Sequence, residues 1–200
     1  MSHHLQLAPE LEQLLAKMSA EADETNRQTD DHWQRPRSLH PDAAALLSLL
    51  VRISGSKRIL EVGTSVGFST IYLADAVRQT GGHITTVELM PEKSEKARQN
   101  IAEAGLSEYV AQRTGNVLDF GGQLQGPWDF LFIDLEKELY LPIWNMLSNE
   151  VRVGGLIAAD NVISHKEELS EYLERINNDR RYETITVPVG AGIELSRRFR

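Results

Sequence analysis

The stretch ILEVGTSVGFST (59–70) decides how this chain reads. Its first four residues, apolar except for Glu61, read as a buried strand. Two glycines follow, Gly63 and Gly67, and then a segment with helical periodicity over 69–79. Strand, glycine turn and helix open a doubly wound α/β fold. The glycines let the backbone turn tightly and approach a ligand closely. Ser69 can cap the helix and offer its hydroxyl to a carboxylate. The spacing is G-x-x-x-G, whereas a dinucleotide fingerprint needs G-x-G-x-x-G, and Ser65 and Phe68 occupy the further positions. No P-loop lysine is present either.

Outward from this turn, strands and helices alternate. HITTVEL (83–89), YVAQRT (109–114), WDFLFID (128–134) and GGLIAAD (154–160) read as strands. Helices are expected over 91–104 and 138–149, and Pro41 opens another that stops at Gly55. Ser164 and Glu167 have capping-box spacing for a helix carrying Leu169, Tyr172, Leu173 and Ile176. ETITV (183–187) and GIELSRR (192–198) flank a glycine turn and read as an antiparallel hairpin. The expected fold is therefore a mostly parallel sheet covered by helices on both faces. Before it, residues 5–20 carry Leu7, Leu11, Leu14, Leu15 and Met18 on one helical face. From Ala22 to His40 periodicity vanishes, and this polar segment, with Asp30, Asp31 and Trp33, suits a lid or a linker.

Composition narrows the function. Two hundred residues fit one domain, 1–200, with residues 1–40 as an N-terminal helix and lid-like segment. Lys and Arg number 21 against 29 Asp and Glu, a net charge of −8, which argues against general nucleic-acid or anionic-membrane binding. With no cysteine, disulfides, zinc–thiolate sites, iron–sulfur clusters and thiol catalysis are excluded. No apolar run approaches the ~18 residues of a membrane span, and MSHHLQ lacks a signal-peptide core. The expectation is a soluble cytoplasmic protein.

Ligands of such sheets bind at the carboxyl ends of the strands. Glu88 ends its strand about 20 residues beyond Gly67, where an acid suits the two hydroxyls of a ribose. A nucleoside without a pyrophosphate is implied, and S-adenosylmethionine (SAM) fits. Asp134, Asp160 and Asn161 also follow apolar strands. Two carboxylates and an amide suit Mg²⁺, Mn²⁺ or Ca²⁺ rather than Zn²⁺. The same acids can equally serve only to cap the next helix or loop. Lys137 can serve as a base beside a cation or lie on the surface against Glu136 or Glu138. Tyr140 suits a pocket wall or the core. His3, His4, His32, His40, His83 and His165 show no ligand spacing, and His165 reads as a first-turn helix residue.

From about Ser38 onward the chain resembles the cation-dependent O-methyltransferases of the catechol and caffeoyl-coenzyme A type. The resemblance rests on LEVGTSVGFST, the VEL at 87–89, FIDLEKELY (132–140), GGLIAADNVISH (154–165) and PVGAGIELSRR (188–198). It implies a class I SAM-dependent methyltransferase fold with seven strands. Glu61, Gly63, Thr64, Gly67 and Ser69 would surround the methionine part of SAM, Glu88 the ribose and Val117 the adenine. Asp134 would face both cofactor and metal, with Asp160 and Asn161 completing the ligand set and Lys137 as catalytic base. The acceptor would be a small aromatic with vicinal hydroxyls, and the assembly a homodimer. The family's Asp-Ala-Asp-Lys stands here as Asp134-Leu135-Glu136-Lys137. An expected aromatic after Asn161 is replaced by Ser164-His165, in the region that shapes the acceptor pocket.

Overall fold

The computed structural model describes residues 5–29, 31, 35–36 and 38–200. Asp30, Trp33, His3, His4 and His32 fall outside the described residues.

Seven strands form one sheet: β1 (Arg58–Val62), β2 (His83–Glu88), β3 (Val110–Thr114), β4 (Trp128–Ile133), β5 (Val151–Ala159), β6 (Tyr182–Val187) and β7 (Ile193–Arg198). Their order is β3-β2-β1-β4-β5-β7-β6. The first five run parallel, while β7 pairs antiparallel with both β5 and β6, as the hairpin reading required. The order reverses between β1 and β4, so the turns after these strands border a crevice.

The helices are α1 (Pro9–Gln28), α2 (Pro41–Ser54), α3 (Phe68–Thr80), α4 (Pro91–Glu103), the short α5 (Val117–Phe120), α6 (Tyr140–Leu147) and α7 (Ser170–Asn177). Alternate residues of the central strands feed two cores. Ile59, Phe130 and Phe132 pack with α1 to α4, whereas Leu60, Leu131 and Ile133 pack with α6 and α7. Both faces of β1 and β4 are thus largely apolar, interrupted by the buried Glu61 in β1 and by Asp129 near the start of β4.

Three local expectations are corrected. Helix α1 does not end near residue 20 but continues to Gln28, through part of the polar segment. Ala22 keeps it packed, and Arg27 pairs with Glu24 at 2.7 Å one turn away. Asp23 and Asn26 on this extension border a cavity, so no apolar stripe marks the helix there. The Ser164/Glu167 capping box does not form. Ser164 Oγ instead meets His165 Nδ1 at 2.8 Å, and regular helix begins only at Ser170. The N–H groups of residues 162–164 donate to the carbonyls of Gly192 and Ala191, which binds this segment to the β6–β7 turn. His165 accordingly lies in a run of turns, on the cavity wall rather than in a helix. Finally, Ser69 does not cap α3, whose N-cap is Gly67 with no side-chain bond.

Candidate active site

A cavity of about 760 Å³ opens at the carboxyl ends of β1, β2, β4 and β5. Its walls include the turn at 62–66, Glu88, Val117, Asp134, Lys137, Asp160 and Asn161. The far side comes from α1 and from Ser38–Leu39–His40, within the segment whose polarity suits a lid or a linker.

The first turn is shaped by close backbone approaches. Gly63 has φ +104°, and a Cβ there would lie 1.7 Å from the carbonyl oxygen of Asp134. The turn after β1 and the turn after β4 therefore touch only because residue 63 is glycine. Gly67 has φ +87°, and its open side faces Ala97 of α4 at 3.3 Å. The space saved at both glycines is filled by the protein itself.

Glu88 borders the cavity with its carboxylate held in place. Oε2 accepts from the backbone N–H of Ser65 at 2.7 Å, and Oε1 from that of Met90 at 3.0 Å. One lone pair on each oxygen remains for further donors, such as a vicinal diol.

Glu61 sits one layer behind the wall, fully buried. Ser69 Oγ donates to its Oε1, and the hydroxyls of Thr70 and Thr86 donate to its Oε2, each at 2.6 Å. Thr86 Oγ1 also meets Thr64 Oγ1 at 2.5 Å, which extends the network to the cavity wall. Burial pushes the Glu61 carboxyl up to about 7, against the opposing effect of the three hydroxyls. Ser69 thus offers its hydroxyl to a carboxylate of the protein. Sequence reasoning does not single out Thr70 and Thr86. The signal available was Glu61, an acid in the apolar stretch of β1 whose burial needs donors close by.

The second cluster lies across the cavity. Asn161 Nδ2 donates to Asp134 Oδ1 at 2.8 Å, and Asn161 adopts a left-handed φ of +68°, uncommon outside glycine. Asp160 is buried, and its Oδ1 has no hydrogen-bond partner. Burial, reinforced by the charge of Asp134, raises the Asp160 carboxyl to about 7. An orphaned carboxylate oxygen beside a second acid, with an amide alongside, is a donor set that a hard divalent cation would satisfy. Among the described residues no three His, Cys, Asp or Glu gather in a metal-holding group, because the third donor here is an amide. Lys137 Nζ donates to the carbonyl of Leu135 at 3.0 Å and lies 5.2 Å from the centre of the Tyr140 ring. Tyr140 itself is fully buried, in the core rather than on the cavity wall, and burial drives its phenol well above the ordinary range. It stays protonated and donates to the carbonyl of Asp160 at 3.1 Å.

The fold is shared with solved methyltransferases. An O-methyltransferase from Bacillus cereus in complex with SAH superposes with a TM-score of 0.79 at 28% identity, covering 96% of this chain and 91% of that one. Sheet order and cavity position define the class, the SAM-dependent O-methyltransferases. The chain belongs to the O-methyltransferase family, whose model matches residues 13–199. It is 38% identical over 138 residues to a catechol O-methyltransferase of Niastella koreensis, a match spanning 67% of this chain and 62% of that enzyme. It is 28% identical over 182 residues to caffeoyl-CoA O-methyltransferase 2 of Petunia hybrida, covering 79% of this chain and 75% of that one. Among the described residues, no helix is long and apolar enough to cross a membrane.

Proposed function

We propose that this protein transfers the methyl group of SAM to a hydroxyl of a small, catechol-like aromatic acceptor, with a divalent cation at Asp134, Asp160 and Asn161. One observation carries the reading: Glu88 and the first turn border the same cavity as Asp134, Asp160, Asn161 and Lys137. A nucleoside site and an oxygen-donor site thus share one space. The names of the relatives support a phenolic acceptor.

Glu88, anchored by two backbone N–H groups, accepts from the ribose hydroxyls of SAM. Gly63, Thr64 and Ser69 border the methionine end, with Gly67 turning the chain into α3 and Glu61 holding Ser69 from behind. Val117 flanks the adenine. Asp134, Asp160 and Asn161 would hold the cation, which would supply Lewis acidity to the acceptor hydroxyls. Lys137 takes the phenolic proton at Nζ. The walls hold the acceptor oxygen in line with the methyl and the sulfur, so that the oxygen–carbon bond forms as the sulfur–carbon bond breaks. The protein acts as one domain, in the cytoplasm, as a homodimer, and on small molecules rather than nucleic acid or membrane.

The test is a methyl-transfer assay across phenols and catechols, with EDTA and with Mg²⁺ or Mn²⁺ restored. Turnover of catechols that EDTA abolishes and metal restores is expected. Undiminished turnover in EDTA would replace the cation-dependent reading with a metal-independent methyltransferase. Light scattering reads the assembly state.

A further inference from the structure

One buried side chain touches both halves of the second cluster. The Tyr140 hydroxyl donates its only proton to the carbonyl of Asp160 at 3.1 Å. Its oxygen can therefore only accept from anything else nearby. The group it faces is the side-chain amide of Asn161, whose Nδ2 lies 3.4 Å away and also donates to Asp134 Oδ1 at 2.8 Å.

An asparagine amide has two ends of similar shape and opposite polarity. As a cation ligand it must offer Oδ1, and nothing intrinsic to Asn161 decides which end faces the cavity. Two acceptors decide it, Asp134 Oδ1 at 2.8 Å and a hydroxyl whose proton is already committed at 3.4 Å, because each attracts the N–H end and repels the oxygen; of the two, only the hydroxyl lies outside the cation's ligand set. The backbone at Asn161, with φ +68°, is held against the same contact through the adjoining Asp160 carbonyl. We propose that Tyr140 is a positioning residue that selects the amide end of Asn161, turning Nδ2 inward and Oδ1 toward the cation. This rests on the divalent-cation reading above. The Tyr140 ring is fixed independently, edge-on to Tyr172 with centroids 5.5 Å apart and with Lys137 Nζ 5.2 Å from its centre, so its hydroxyl has little freedom to swing away.

The experiment is a double-mutant cycle read by Mn²⁺ affinity, using electron paramagnetic resonance on the full chain without substrate. Tyr140→Phe keeps the ring and removes the hydroxyl. It should weaken Mn²⁺ binding roughly tenfold or more, as loss of an outer-shell partner does, while SAM affinity is unchanged. In an Asn161→Asp background a carboxylate presents oxygen at either end, so Tyr140→Phe should then cost less than about twofold. A structural role alone would give equal losses in both backgrounds, and that result overturns the inference. So does unchanged Mn²⁺ affinity in the single variant, with the cation reading left standing. Absence of Mn²⁺ binding in the wild-type protein overturns the cation reading and this inference together. If Tyr140→Phe does not fold, the wild type still answers. Loaded with Mg²⁺, it should show a nuclear Overhauser contact between the Asn161 side-chain N–H pair and the Tyr140 ring by NMR, and its absence overturns the assignment.

Discussion

Gly63 and Asp134 meet so closely that a Cβ on Gly63 would lie 1.7 Å from the Asp134 carbonyl oxygen. The turn after β1 and the turn after β4 that bears Asp134 are thus a single packed unit. Gly63→Ala adds both a steric clash with backbone and a side chain at φ +104°. Destabilisation of about 3 kcal/mol or more is expected from overpacking and backbone strain combined. Urea unfolding measures it, and a loss below about 1 kcal/mol would show that the two turns separate readily.

Glu61 makes stability depend on pH. Its folded-state carboxyl titrates at about 7, above the ordinary 4.5. Below pH 4.5 both states are protonated and the group contributes nothing. As pH rises toward 7 the unfolded chain ionises while the folded protein keeps its proton, so stability falls. Above 7 the penalty is complete, on the order of 3 kcal/mol. Glu61→Gln removes this titration. Its stability relative to wild type should rise between pH 5 and pH 8 in urea unfolding. A difference independent of pH would mean that Glu61 is already ionised at pH 5.

Glu88 borders the cavity, and in the proposed reading it accepts from the ribose hydroxyls. Glu88→Ala should weaken SAM binding by roughly 1.5–3 kcal/mol, the range for hydrogen bonds to a charged group. Calorimetry on a folded variant reads this directly. Unchanged affinity would place the nucleoside elsewhere in the cavity.

Lys137 separates a base from a bystander. As the base, its replacement by Ala should lower kcat by roughly 10²–10⁴ with SAM affinity near wild type. The defect should shrink along a series of catechols bearing electron-withdrawing groups, whose own acidity replaces the lost base. As a surface residue, Lys137→Ala should leave turnover intact and cost less than ~0.5 kcal/mol of stability. A uniform loss across the series would mean that Lys137 positions the acceptor.

The sheet was legible because its strands are buried on both faces. Such strands must be mainly apolar, and RILEV, WDFLFI and GGLIAA advertise this locally. The acids and the amide were legible for a related reason: polar residues directly after apolar runs stand at the sheet's carboxyl edge. The extension of α1 to Gln28 was not legible, since a helix flanking a polar cavity has no stripe of hydrophobic residues to betray its period. The segment after Asn161 misled for the converse reason. Its capping-box spacing is local, whereas its conformation is held by carbonyls of Ala191 and Gly192, some 30 residues away in the chain.

By itself, then, the sequence determined the alternation of elements, the hairpin at the end, and the set of oxygen donors at the sheet edge. It did so because hydrophobic period and turn chemistry are properties of neighbouring residues. Only the tertiary structure decided which donors face one another: Glu61 enclosed by Ser69, Thr70 and Thr86, and the phenol of Tyr140 beneath Asp160 and Asn161. Those contacts join residues from different strands and helices. Their distances and burial, and hence the charge states of Glu61 and Asp160, arise only when the sheet brings its strands into register.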